Sequence, residues 1–144
     1  MATNGEDAPI RERVETLAKA LRAKDVDALM AHYAPDMTVF DVQPPLQVNG
    51  RDAYRKNFEA WFGTVRGPID YEMRDLQITA NGDIAFCRCL SHVRSMRTNG
   101  EKADYWVRVT SGLRKMNGQW MVTHEHISAP IHMDTLQAAL DIQP

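Results

Sequence analysis

Near its end the chain reads MVTHEHISAP, residues 121–130, with Glu125 set between His124 and His126. On a strand, successive side chains point to opposite faces, so the glutamate would stand on one face and the two imidazoles on the other. The histidines could ligate one ion as neutral imidazoles, with His92 joining from a neighbouring strand. A bare H-x-H with no second pair of ligands is thin support for that, so no metal site and no cofactor are expected. A carboxylate turned into an apolar cavity would instead be an acid–base group. Upstream, Trp106, Arg108 and Thr110 alternate along a second run. There a guanidinium could clamp a carboxylate or an enolate, next to an indole wall and a hydroxyl donor. Cys87 and Cys89 are the only cysteines. Two apart on one strand, they read as small core residues rather than a bridge or a zinc site.

These groups need elements to hold them. Ile10, Val14, Leu17, Ala18 and Leu21 fall at helical spacing behind Pro9. Asp25 caps a second helix with Val26, Leu29, Met30 and Tyr33 on one stripe, closed by Pro35. MTVFD is a short strand, and VQPPLQVNG an irregular loop. A third helix after Asn49 carries Tyr54, Phe58, Trp61 and Phe62. Beyond it, Asn81-Gly82, Asn99-Gly100 and Asn117-Gly118 recur at even spacing, each a tight-hairpin signal. Four long antiparallel strands are expected, at 70–80, 83–97, 102–116 and 119–129. At ~3.3 Å per residue they reach roughly 35–50 Å, which in a small domain forces twist and curl. DTLQAALDIQP could add a terminal helix.

The fold expected is therefore α+β: a cone-shaped, curved antiparallel β-meander, its concave face covered by three N-terminal helices. Residues 1–8 read as a loose tail and residues 9–144 as a single domain. A length of 144 residues, 44% hydrophobic and 25% charged, is that of an ordinary globular chain able to bury a core. A net charge of −2 suggests no nucleic-acid face. No apolar run approaches a membrane span and no leader opens the chain, so no membrane partner and a cytoplasmic location are expected.

Two-residue turns would place Thr110 opposite Glu125 and Gly112 opposite Thr123, with Cys89, Ser91 and Val93 on the same face. That face, with Trp106 and Arg108, combines small residues with convergent polar groups and is expected to line a pocket. The other face, carrying Val107, Val109, Val122, His124 and His126, would pack on a partner subunit in a homodimer. A single β-bulge would exchange the two, so a histidine-lined cavity stays open as the alternative.

The stretches AKDVDALMAHYAPDMTVFD, NGRDAYRKNF and YWVRVTSGLRKMNGQWMVTHEHISAP resemble the nuclear transport factor 2-like superfamily, which includes ketosteroid isomerases, SnoaL-like cyclases and limonene epoxide hydrolases. The resemblance covers about residues 9–130. It implies that the isomerases' catalytic aspartate falls on Asp41, a general base in an apolar cavity. The isomerases' tyrosine falls on Leu17 and their protonated acid on Thr110, so steroid isomerisation is not implied. Arg108 and Glu125 look similar to the arginine and last-strand acid of the epoxide hydrolases, while Thr110 replaces their middle aspartate.

The expectation is a small-molecule enzyme doing cofactor-free acid–base chemistry: isomerisation, cyclisation, dehydration or hydrolysis. Asp41 would move the proton or activate water. Arg108 and Thr110, with Glu125 or His126, would stabilise or reprotonate the oxyanion. Phe58, Trp61 and Trp106 would shape the pocket, with Tyr33 and Thr123 at its lining. The ligand would be a small hydrophobic molecule bearing a carbonyl or carboxylate. A non-catalytic binding or assembly module of the same fold is the alternative. If the Asp41 side chain pointed into bulk water, or lay on the opposite side of the sheet from Arg108, the catalytic reading would fail and a cone-shaped binding or assembly domain would remain.

Overall fold

The structure, a computed structural model, describes residues 5–144. Of the expected N-terminal tail, residues 1–4 lie outside the described residues, and Asp7 and Ala8 are already helical. The first helix, α1 (Asp7–Arg22), turns Ile10, Ala18 and Leu21 inward at the spacing the sequence suggests and lies against the long third strand. The short α2 (Val26–Met30) starts where Asp25 accepts from the Ala28 N–H at 3.1 Å. It ends earlier than expected, because the chain extends from Tyr33 onward. Tyr33 is thus the first residue of β1 (Tyr33–Phe40) rather than part of a helical stripe. β2 (Val48–Asn49) pairs back on β1. Gly50, at φ 91°, then turns the chain into α3 (Arg51–Gly63), whose Tyr54, Phe58 and Phe62 are buried.

β3 (Val65–Asn81), β4 (Ile84–Arg97), β5 (Lys102–Met116) and β6 (Gln119–Ser128) form the expected meander. β1 adds to its far edge in parallel with β6, so the six-stranded sheet is mixed, in the order β2-β1-β6-β5-β4-β3. The helices cover its inner face, and the core between them includes Ile10, Leu29, Tyr33, Met37, Tyr54 and Ile69. The expected terminal helix is instead a small hairpin, β7 (Ile131–His132) with β8 (Gln137–Ala138).

Two register details decide what faces inward. Asn117 (φ 51°) and Gly118 (φ 77°) do make a two-residue turn, closing Met116 onto Gln119. Beyond it, however, Leu113 pairs with Val122 and Gly112 with His124. Thr123 is left without a partner, a bulge. The Asn99-Gly100 connection, by contrast, is not a two-residue turn. The strands stop at Arg97 and Lys102, and Met96 pairs with Lys102. As a result β5 is out of the expected phase with both of its neighbours. Ser111, not Thr110, stands opposite Glu125, and Cys89 faces Val109. Val107, Val109 and Ser111 turn inward, while Trp106, Arg108 and Thr110 turn outward.

Candidate functional site

Glu125 sits on β6 beside Val39 of β1 and Ser111 of β5, and is only 6% exposed. The bulge at Thr123 lets Val122 and Glu125 both point inward though three residues apart, which a regular strand forbids. Two phenols meet the carboxylate. The Tyr33 hydroxyl lies 3.2 Å from each oxygen and the Tyr54 hydroxyl donates to Oε1 at 3.0 Å. Their rings pack edge to face at 5.3 Å, and Phe58 backs Tyr54 at 4.6 Å. β1 delivers Tyr33 and α3 delivers Tyr54, so helix and strand converge on one group.

Burial dominates the electrostatics. It raises the Glu125 pKa from 4.5 to about 7, the tyrosine hydrogen bonds oppose the rise, and the negative charge of Asp41 adds to it. The Tyr33 and Tyr54 phenols are pushed well above their usual range, first by burial and next by the Glu125 charge. Near neutral pH this carboxyl therefore exchanges between an acid and a base, each form hydrogen-bonded. When it is protonated, it gains an O–H donor while its carbonyl oxygen can still accept from the phenols.

Above the triad opens a cavity of about 600 Å³. Leu17 and Leu21 come from α1, Phe58 and Trp61 from α3, and Val107 and Val109 from β5. That volume is within the range of drug-sized ligand sites. Asp41 lies at its rim, just beyond β1, half-exposed and accepting from the Val42 N–H at 2.7 Å.

Of the residues expected at the site, Asp41, Glu125, Tyr33, Phe58 and Trp61 line this cavity. The others do not. Arg108 is on the outer face, donating to the Ser128 hydroxyl at 3.1 Å. Trp106 stacks on His92 there, at 4.4 Å and 12°. Thr110 pairs with His126, also outward. Thr123 is the bulge residue, its hydroxyl donating to the Gly112 carbonyl at 3.3 Å. Asp41 and Arg108 thus lie on opposite sides of the sheet. By the condition set for it, the catalytic reading built on Asp41 with Arg108 fails, and on that condition a binding or assembly domain remains; any catalytic reading has to start from Glu125 instead.

The histidines also face out. The His124 ring contacts the Phe40 ring at 4.7 Å and its Nδ1 bonds the Thr38 carbonyl at 2.7 Å, while His126 lies 5.5 Å from the same ring. Among the described residues no three His, Cys, Asp or Glu side chains gather as a metal site. Cys87 and Cys89 are both free thiols.

Sequence reasoning missed Tyr54, Ser111 and Tyr105 as cavity or site residues. Tyr54 looked like one more core position on a helical stripe. The Val107–Val109 alternation was the available signal for the inner face of β5.

Residues 10–132 match the family described as the SnoaL-like domain. No curated protein matches the chain. Among solved structures, a nuclear transport factor 2-like protein of unknown function from Pseudomonas putida KT2440 is similar over 100% of both chains, at 34% identity and a TM-score of 0.88. A ketosteroid isomerase-like protein from Erwinia carotovora atroseptica SCRI1043 is 23% identical, over 88% of this chain and 97% of that one, with a TM-score of 0.76. A candidate scytalone dehydratase from Novosphingobium aromaticivorans DSM 12444 is 18% identical, over 96% and 95%, with a TM-score of 0.80. At those identities the last two share the fold alone. The family match across most of the length, together with the full-length structural relative, makes this chain a member of the SnoaL-like domain family, on the nuclear transport factor 2-like fold.

Proposed function

We propose that this protein is a small-molecule enzyme that moves protons without a cofactor, in the isomerase, cyclase or dehydratase class. The observation that carries this reading is Glu125, a carboxyl titrating at about 7, hydrogen-bonded by two phenols at the base of an apolar cavity. A general acid or base works best when its pKa is near the operating pH. A substrate carbonyl placed at the triad would receive a hydrogen bond from Tyr54, backed by protonated Glu125, as negative charge develops on its oxygen. Asp41, which lines the same cavity and whose charge acts on Glu125, would take the proton from the adjacent carbon. In a β-hydroxy ketone the same Glu125 proton would leave with the hydroxyl as water. Names of structural relatives that mention an isomerase or a dehydratase agree with this class.

The test is solvent-deuterium exchange at carbons next to the carbonyl in a panel of cyclic ketones, followed by NMR. Catalysed exchange should fall at least ~10²-fold in both Glu125→Gln and Asp41→Asn. Exchange that is equal in wild type and both variants would leave a non-catalytic binding domain. The reading includes a homodimer packed through the outer sheet face, where Phe40 and Phe86 are 38% and 48% exposed. Light scattering at micromolar concentration should give twice the 16.3 kDa chain mass. It also includes a cytoplasmic location; among the described residues no helix is long and apolar enough to cross a membrane.

A further inference from the structure

Three residues lining the cavity carry charge: Glu125, Asp41 and Arg97. The first two are used by the proposed function. Arg97 is not, and its placement is unusual. It closes β4, opposite Val65, where α3 gives way to β3, and the neighbouring Thr98 N–H bonds the Thr64 carbonyl at 2.9 Å. Cys87 is the β4 residue level with Ser111 and hence with Glu125, so Arg97 lies far along the curled strand from the triad. It forms no ion pair within 4.0 Å among the described residues, whereas Arg55 and Arg94 each hold a carboxylate. Asp41 lines the same cavity. Burial raises the pKa of the Tyr105 phenol, while Arg97 draws it down and Asp41 pushes it up.

The cavity lining therefore carries charges of both signs. Arg97, with no ion-pair partner among the described residues, and the Asp41 carboxylate both line it, and both charges reach the Tyr105 phenol. An anionic group on a ligand is attracted to Arg97 and repelled from Asp41. A guanidinium matches a carboxylate with two parallel N–H donors.

We propose that Arg97 is the anion-recognising residue of this cavity, and that its ligands are amphipathic ring compounds. These would hold an anionic group at Arg97 and direct the ring end that bears the reacting carbonyl toward Glu125. The orientation rests on the proposed function; the anion preference does not.

The test compares two probes of equal shape, 2-naphthylacetate and 2-naphthylacetamide, titrated by calorimetry at pH 8 and low ionic strength. Wild type should bind the carboxylate about tenfold more tightly than the amide. The preference should shrink as salt is raised, since the site is open to solvent. Arg97→Gln should remove it while leaving the amide affinity within about twofold, and Arg97→Lys should keep part of it. Equal binding of the two probes by wild type, a preference that survives Arg97→Gln, or binding of neither probe would each overturn the proposal. Glu125→Gln should retain the preference. Its loss there would move the anion site to the triad and also overturn the proposal. Failure of deuterium exchange with the preference intact would count against the proposed reaction alone.

Discussion

Replacing Glu125 by Gln keeps the shape and one oxygen acceptor for the phenols while removing the titration. In the unfolded chain the group titrates near 4.5, and in the fold at about 7. The native state therefore holds the proton over a pH range where the unfolded chain has released it. Stability falls with pH wherever the native state binds more protons. The group's contribution is full below pH 4.5, is lost progressively as pH rises toward 7, and is flat above. The shift corresponds to about 3 kcal/mol, at 1.36 kcal/mol per pKa unit. For a domain of this size that is a Tm change of about 10 °C. Urea unfolding of wild type and Glu125→Gln from pH 4 to 8.5 isolates this one group, because the other titrations are common to both chains. The variant should gain about 3 kcal/mol on wild type between pH 4.5 and 8. Parallel stability curves across that range would refute the buried-acid reasoning.

The same paired titration checks three further perturbations. Asp41→Asn removes a negative charge that raises the Glu125 pKa, so the midpoint should move below 7. Tyr54→Phe deletes a hydrogen bond that favours the charged form, so the midpoint should move above 7, with a loss of about 1–3 kcal/mol at alkaline pH. Deleting Thr123 removes the unpaired residue while Val122 keeps Leu113 and His124 keeps Gly112. Glu125 should stay inside, so the midpoint near 7 should survive, and its return to an ordinary carboxylate value would show that the bulge itself is needed to bury the acid.

Most of the fold was legible because its signals are local. Asn-Gly pairs, β-branched runs and helical stripes located β4 and β5, and the aromatic spacing of α3 located the helix that delivers Tyr54. The cavity was harder, because facing is a parity and depends on every residue counted between a turn and the site. The loop after Arg97 and the unpaired Thr123 each change that count by one, and neither is encoded in composition. Two-residue turns pair Glu125 with Thr110 and turn Arg108 and Trp106 inward with it, whereas Ser111 is its partner and Arg108 and Trp106 face out. Pro35 reads as a helix stop and leaves Tyr33 on the helical stripe, whereas β1 begins at Tyr33 itself. Asp41 at the cavity rim came from the family resemblance; nothing in its local sequence marks it.

The bulge in β6 also has a consequence for how such cavities diversify. Trp120 and Val122 before it, and Glu125 and Ile127 after it, occupy the inner side only because one residue is held out of step. If that irregularity moved past Ser128, the same amino acids would present His124 and His126 to the cavity and turn Glu125 outward. An acid-lined chamber and an imidazole-lined one are thus neighbours in backbone phase, separated by no substitution at all. In a domain built of long curled strands, active-site chemistry can change through the position of a single slipped residue, with the scaffold and its core left in place.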